Sequence, residues 1–118
     1  MGIGWLAAAA FTCVSPAAVD GDTLRCAQIG RVRLLAIDAP ELPGHCRAGR
    51  QCTPGDPFAS TRSLVQLLRH GPVTCTSKAR DGYGRVLAWC SAGGIDLSCA
   101  QVARGMAVAR YGRLTCTR

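Results

Sequence analysis

The sequence has little of what metal-binding and membrane proteins usually carry. It contains no Cys-x-x-Cys pair and only two histidines, His45 and His70, which argues against a structural zinc site. No stretch is long and apolar enough to span a membrane. No internal repeat, linker or low-complexity segment divides the 118 residues, so we expect a single domain.

Acidic residues and lysine are also scarce. The chain has seven acidic residues, of which Glu41 is the one glutamate, and Lys78 is the one lysine among fourteen basic residues. The net charge of +7 therefore comes from arginine, whose planar guanidinium binds phosphate in two-pronged fashion. This favours a nucleic acid or another polyanion as partner. Coding bias toward arginine is an alternative explanation of the same composition.

Cysteine, by contrast, is abundant. Eight cysteines are spread over the chain, an even number that indicates up to four disulfides and an oxidising compartment, secreted or periplasmic. Cys75 and Cys90 lie symmetrically about the turn at residues 81–84, so they are expected to face each other across a hairpin. Proximity in sequence suggests three further pairs: Cys13–Cys26, Cys46–Cys52 and Cys99–Cys116.

The first ten residues are apolar but lack a positive start. Two interpretations stay open: residues 1–10 are the remnant of a signal peptide cleaved just before Phe11, or they reflect where the chain was begun. In either case we expect the domain to occupy residues 11–118.

The order of predicted elements indicates an α+β protein. Asp56 and Pro57 predict the start of a helix that runs to Gly71, with an apolar stripe at Phe58, Thr61, Leu64, Val65 and Leu68. The remaining predicted elements are two strands between Phe11 and Cys26, a strand at Val32–Ile37, a loop at 42–56, a hairpin of Val73–Ser77 with Arg85–Ser91, a short helix from Asp96 to Gly105, and a strand at Met106–Tyr111. This set fits a small five-stranded OB-type β-barrel with two helices, stapled by disulfides.

Four of the seven acidic residues lie between positions 20 and 41. Asp22 is in a turn and Asp38 at a strand end, so their carboxylates, a main-chain carbonyl and water suit a hard cation such as calcium, held weakly in the roughly 10⁻⁴ to 10⁻³ M class. Glu41 follows Pro40 and is placed to take a proton from water. Arg33 and Arg85 are suited to hold a phosphate and to neutralise its developing charge. These are the parts of metal-assisted phosphodiester hydrolysis.

Each part has a simpler interpretation. Asp20-Gly21-Asp22 is a common hairpin turn, and Arg33 is compatible with a strand arginine that reaches solvent. Strict alternation along a strand also places Arg33 and Asp38 on opposite faces. They share a site only if the strand bends, bulges or ends between them.

Four segments occurring together carry a resemblance to a known family. They are Val19–Leu24 (VDGDTL), Val32–Glu41 (VRLLAIDAPE), Asp81–Ala88 (DGYGRVLA) and Val102–Ala107 (VARGMA). With them the chain resembles the staphylococcal nuclease-like, or thermonuclease, family. The resemblance implies an OB-type barrel and calcium-dependent endonuclease cleavage of DNA and RNA, leaving 3′-phosphate ends.

The resemblance also assigns roles to residues. It implies that Asp22, Asp38 and the main-chain carbonyl of Ala39 hold calcium, with Asp20 close to the metal. It makes Arg33 and Arg85 the phosphate-binding arginines and Glu41 the general base. Tyr83 and Tyr111 are then nucleotide contacts, which favours single-stranded or frayed substrate. Arg113 stands where the family has a second stacking tyrosine. We expect a monomer with no membrane or protein partner.

Two other functions stay open at this point. A non-catalytic copy of the same fold binds nucleic acid or peptide, but such a copy is expected to lack some of the acids and arginines kept here. A disulfide-stapled basic protein whose motifs are only turns is the third possibility.

Overall fold

The computed structural model describes residues 4–46, 48–49 and 51–116. The strands are β1 (Gly4–Thr12), β2 (Ala17–Ala18), β3 (Thr23–Cys26), β4 (Gly30–Leu34), β5 (Ile37–Asp38), β6 (Val73–Arg80), β7 (Val86–Ala92), β8 (Ile95–Asp96) and β9 (Val108–Ala109). The helices are α1 (Pro57–Leu67), followed by a 3₁₀ turn at Leu68–His70, and α2 (Leu97–Ala103).

Most strands belong to one seven-stranded sheet in the order β1-β6-β7-β4-β3-β2, with β8 pairing on β7. The β4–β7 pair is parallel, and β5 pairs with β9 in a separate two-stranded sheet. The protein consists mainly of strands with two helices packed on them, which fits the expected OB-type fold. The expected number of five strands and a closed barrel are not confirmed, because the described sheets do not close on each other.

The break between β4 and β5 positions the acidic segment. β4 ends at Leu34, and Ala36 has φ +67°, a left-handed conformation that a strand does not contain. The carbonyl of Ala36 accepts from Arg110 N at 2.8 Å, which ties the break to the segment after β9. The chain therefore changes sheets between Arg33 and Asp38, and the predicted single strand over Val32–Ile37 is divided in two.

The turn at residues 20–22 forms between β2 and β3, as predicted. Val19 N donates to Thr23 O at 2.8 Å, and Leu34 N donates to Asp22 O at 2.8 Å, which fixes the turn against β4. A Cβ at Gly21 would lie 1.8 Å from Ser60 Oγ and 2.8 Å from Ala39 Cβ. Only glycine allows α1 and the segment after β5 to approach this closely.

Helix α1 begins where the sequence predicts, but it ends at Leu67, and a 3₁₀ turn at Leu68–His70 covers the remaining residues before Gly71. The Asp56 carboxylate accepts from the amides of Phe58 and Ala59, and Pro57 is the first helical residue. The predicted apolar face was only partly right. Leu64 is buried, but Phe58 is 53% exposed, and the buried face also holds Ser60, Ser63 and Leu67. The reason is a polar contact with α2, described below.

All four predicted disulfides are present: Cys13–Cys26, Cys46–Cys52, Cys75–Cys90 and Cys99–Cys116. Cys75 and Cys90 are directly opposite in the β6–β7 register, as expected from the hairpin. Cys13, Cys26, Cys75 and Cys90 are buried in the core with Leu24, Leu34 and Leu97, so these bridges are part of the packing.

The N-terminal segment is paired rather than separate. Residues 4–12 form β1, which runs antiparallel to β6 with Thr12 opposite Thr74. The first three residues of the suggested signal remnant lie outside the described residues. Whether residues 1–10 are removed in the mature protein stays a prediction. No helix among the described residues is both long and apolar enough to cross a membrane.

Candidate active site

Asp22 and Asp38 lie together at the break between β4 and β5. They are 5% and 1% exposed, and both contact the same atom, Arg33 Nη2, at 3.3 and 3.2 Å. Asp22 also accepts from Ala39 N at 2.9 Å and from Thr23 Oγ1 at 2.9 Å. The structure therefore brings together the two acids, the arginine and the alanine that the sequence analysis placed in one site.

Arg33 is held rigidly at this point. Its Nη1 donates to the carbonyl oxygens of Leu34 at 3.0 Å and Ile37 at 2.9 Å, on either side of the Ala36 turn. The side chain is 11% exposed, so the guanidinium is largely withdrawn from water. The question of opposite faces is resolved because the strand ends between Arg33 and Asp38. The guanidinium is planar, so with Nη1 fixed by the two carbonyls Nη2 points in a defined direction.

Burial raises the pKa of Asp22 to about 6, since the charged carboxylate loses water that its partners only partly replace. Arg33 opposes this rise, whereas the nearby Asp20 adds to it. Asp20 itself accepts from Asp22 N at 3.1 Å, so it shapes the turn as well as the local charge. Any cation that reaches the buried Asp22 carboxylate therefore stabilises its charged form.

Glu41 and Ala39 follow directly along the chain. Ala39 and Pro40 are buried and Glu41 is half-buried, so the segment leaves the core at the glutamate. Because Ala39 N is bonded to the Asp22 carboxylate, the position of this segment relative to Asp22 is fixed. Glu41 lies three residues beyond Asp38, and its Oε2 is buried although the residue as a whole is half-buried.

Arg85 and Tyr83 belong to the hairpin between β6 and β7, and none of the hydrogen bonds or ion pairs described among residues 4–46, 48–49 and 51–116 joins them to Asp22 or Asp38. Asp81 holds this hairpin: its carboxylate accepts from Tyr83 N, from Arg85 N at 2.9 Å and from Arg85 Nε at 2.7 Å. Partial burial alone would raise the pKa of Asp81, but these hydrogen bonds outweigh it and lower the pKa. Tyr83 is 53% exposed, with Arg85 6.0 Å from its ring centre.

Arg110 is a residue of this site that the sequence analysis missed. Its Nη1 donates to Asp38 Oδ2 at 3.1 Å, and the same oxygen accepts from Thr53 Oγ1. Its guanidinium also lies 5.3 Å from the ring centre of Tyr111, which is 63% exposed. A signal was present in the sequence, because an arginine next to a proposed nucleotide-binding tyrosine is placed to reach the same ligand.

Gln101 is the second missed residue, and it supports the site from beneath. It is completely buried, and its Nε2 donates to Gly21 O at 2.7 Å and Ser60 O at 3.0 Å. Ser63 Oγ donates to Gln101 Oε1 at 2.6 Å, and Ser60 Oγ donates to Met106 O. Both helices are thereby bonded to the turn that carries Asp22. The signal was a polar residue one helical turn after Leu97, on the face that α2 buries.

The oxygen atoms available as ligands at this site fit a hard cation. Asp22 and Asp38 offer buried carboxylate oxygens on either side of Arg33 Nη2, and such oxygens are what calcium prefers. No group of three or more His, Cys, Asp or Glu side chains that could hold a metal is found within the described ranges. A cation here would therefore depend on two carboxylates, the Ala39 carbonyl and water, which agrees with a weak site.

Most of these residues lie in one stretch, 31–116, that matches the sequence profile of the family described as Staphylococcal nuclease homologue. The chain belongs to this family. No match to a curated protein is found.

Membership of the staphylococcal nuclease family gives the chain a nuclease-like fold and implies nucleic acid as its substrate. The matched stretch begins at Arg31 and contains Arg33, Asp38, Glu41, Arg85 and Tyr111. Asp20 and Asp22 lie before it. Their place in the site rests on the Asp22–Arg33 contact and on the Val19–Leu24 motif.

Proposed function

We propose that the protein is a calcium-dependent endonuclease that cleaves DNA and RNA, leaves 3′-phosphate ends and acts outside the cytoplasm. The observation that carries this is the placement of Arg33, a largely buried guanidinium clamped by two carbonyls between two buried carboxylates. Two acids meet at one guanidinium nitrogen, so a group suited to bind phosphate lies directly beside the oxygens suited to bind a cation. The four disulfides support an extracytoplasmic location.

The residues that would hold calcium are Asp22, Asp38 and the main-chain carbonyl of Ala39. Calcium bound there supplies Lewis-acid polarisation of the phosphoryl group. The protein's own contribution is to fix the positions of the two carboxylates. Thr23 and Ala39 hydrogen-bond Asp22, and Thr53 and Arg110 hydrogen-bond Asp38.

Arg33 and Arg85 bind and orient the phosphodiester. Arg33 directs Nη2 toward the carboxylates, so a phosphate oxygen that shares this nitrogen lies next to the cation site. The Nε of Arg85 donates to the Asp81 carboxylate. The terminal nitrogens of Arg85 are therefore the donors that would bind a phosphate. The exposed rings of Tyr83 and Tyr111 support stacking with an unpaired base, which favours single-stranded or frayed substrate.

Glu41 accepts the proton of the attacking water. The water oxygen forms a bond to phosphorus as the bond from phosphorus to the 5′-oxygen breaks, and Arg33 and Arg85 balance the charge that gathers on the phosphoryl oxygens. The phosphate stays on the 3′-oxygen of the upstream fragment. The departing 5′-oxygen takes up a proton from solvent, so the products are a 3′-phosphate and a 5′-hydroxyl.

Digestion of denatured DNA tests the proposal. Cleavage in millimolar calcium is expected to stop with a chelator and to slow by about 100-fold or more in Glu41→Gln, the range for loss of a general base. Asp56→Asn, which changes an acid at the start of α1 away from the site, is the matched control. Glu41→Gln cutting as fast as wild type would overturn the role of Glu41. Binding without cleavage would favour the non-catalytic copy instead.

A further inference from the structure

Arg25 and Arg31 face each other across β3 and β4. They are directly opposite in the antiparallel register, and both are exposed. Ala17 on β2 is the neighbour of Arg25 on its other side, so neither cross-strand neighbour of Arg25 is an acid. The ion pairs between described residues leave both arginines out. Like charges directly opposite on paired strands destabilise a sheet, so the arrangement needs a reason other than folding.

The row lies on the same face of the sheet as the candidate active site. Side chains two residues apart on a strand point to one face, which groups Arg25 with Thr23 and Arg31 with Arg33. Thr23 is opposite Arg33 in the next row, while Leu24 and Val32 point into the core on the other face. The Arg25–Arg31 row lies about 7 Å along the strands from the Thr23–Arg33 row. This is close to the separation of neighbouring phosphates in an extended single strand.

Arg31 also connects this row with the β6–β7 hairpin. Its Nη2 donates to Tyr83 O at 3.2 Å, next to the exposed Tyr83 ring and two residues before Arg85. A guanidinium has five N–H donors, so this single bond leaves Arg31 able to bind a phosphate as well. Positive charge therefore continues from Arg85 through Arg31 to Arg25, away from Asp22 and Asp38.

We propose that Arg25 and Arg31, which we term the arginine track, bind the phosphodiester backbone of one nucleic acid strand beyond the bond that is cleaved. The proposal rests on the proposed nuclease function and extends its substrate from a few nucleotides to a longer strand. The repulsion between the two arginines is relieved when phosphates lie over them. Affinity should consequently increase with strand length, while contacts at the scissile phosphate stay the same.

The salt dependence of binding tests the arginine track. Labelled oligothymidylates of two and about 12 nucleotides, within the range that such grooves cover, are titrated by fluorescence anisotropy in chelator over a series of salt concentrations. The variant is Arg25→Gln/Arg31→Gln. Its control is Arg62→Gln/Arg69→Gln, which removes the same charge from exposed positions of α1 and the following 3₁₀ turn.

We expect the slope of log K against log salt for the longer strand to become shallower by about 1.4, since each phosphate contact on a single strand contributes about 0.7. Dinucleotide binding and the control slope should not change. A slope equal to wild type, or an equal loss in the control, would overturn the proposal. The single variant Arg25→Glu adds a second readout: thermal stability should rise because a cross-strand ion pair with Arg31 forms, while binding of the longer strand falls by about tenfold.

Failure of the arginine track and failure of the nuclease proposal give different results. Absence of calcium-dependent cleavage together with a shallower slope in the double variant would reject the nuclease and keep the track. Cleavage by wild type with an unchanged slope would reject the track alone.

Discussion

Arg33 donates to Asp38 at 3.2 Å with one terminal nitrogen and to the carbonyls of Leu34 and Ile37 with the other. One side chain thus crosses the break between β4 and β5 and fixes the acid to the strand. The contact makes the charge of the site and the shape of its backbone depend on the same residue.

Arg33→Lys should therefore affect both stability and cleavage. A lysine ammonium cannot reproduce a fork that meets two carbonyls and two carboxylates at once. We expect kcat/KM on single-stranded DNA to fall by about 100-fold or more, as for loss of one preorganised donor to a transition state. Arg62→Lys, on the exposed face of α1, should leave it unchanged. Equal activity of Arg33→Lys and wild type would show that charge alone is sufficient.

Asp22 predicts an unusual pH dependence of stability. Its pKa is raised from 3.8 to about 6 in the folded protein, chiefly by burial, so between these values the folded chain holds a proton that the unfolded chain releases. The free energy of unfolding should fall by up to about 3 kcal/mol as the pH rises from 4 to 6, at 1.36 kcal/mol per pKa unit. Calcium should restore stability above pH 6, where Asp22 is charged.

Thermal unfolding of wild type and Asp22→Asn from pH 4 to 8, with and without calcium, measures this effect. Asparagine does not titrate, so the fall in stability over this window should be lost and calcium should have less effect. Identical pH profiles for the two proteins would show that Asp22 is not the group responsible.

Arg110→Met is expected to strengthen calcium binding. The Arg110 guanidinium is the counter-charge on Asp38 Oδ2, so its removal lessens the positive charge that a calcium ion meets there. We expect a dissociation constant roughly tenfold lower in calorimetric titration, together with lower stability in chelator. Arg104→Met, at the end of α2, removes an arginine that bonds Ser63 instead of Asp38. Weaker calcium binding by Arg110→Met would mean that Arg110 chiefly orients Asp38.

Gln101→Leu should disturb the site indirectly, through the turn that carries Asp22. Leucine fills the same space but leaves Gly21 O and Ser60 O without the donor that Gln101 supplies, at a cost of about 1–3 kcal/mol for each buried group. We expect a loss of about 2–6 kcal/mol in the free energy of unfolding, measured in urea, and weaker calcium binding because the Asp22 turn loosens. The exposed Gln66→Leu is the control. A stable variant with unchanged calcium affinity would remove Gln101 from the support of the site.

Local signals in the sequence predicted the parts of the fold that depend on neighbouring residues. Asp56 caps α1 through amides two and three residues away, and Cys75 meets Cys90 because a hairpin of that length brings them opposite. Both outcomes follow from short-range geometry. The acids and arginines of the site were found because their spacing matched a known family's motifs.

Contacts between distant segments were not predictable in the same way. Ser60 and Ser63 lie outside the predicted apolar stripe of α1, and they are buried because Gln101, about 40 residues later, gives them hydrogen-bond partners. Arg110 meets Asp38 across 72 residues. The strand over Val32–Ile37 was expected to be continuous, because alanine does not signal the left-handed conformation that Ala36 adopts.

The hydrogen bond from Gln101 to Gly21 spans 80 residues of sequence, so the support of the Asp22 turn depends on a long-range contact. A contact of such separation forms late, after the chain between has been made and folded. A chain in which α2 is not docked already holds Asp22, Arg33, Asp38 and Glu41, but the turn that carries Asp22 is held only by β4 and its neighbours and lacks the bond from α2. The nuclease we propose would thus reach full activity only after α2 has docked on this turn.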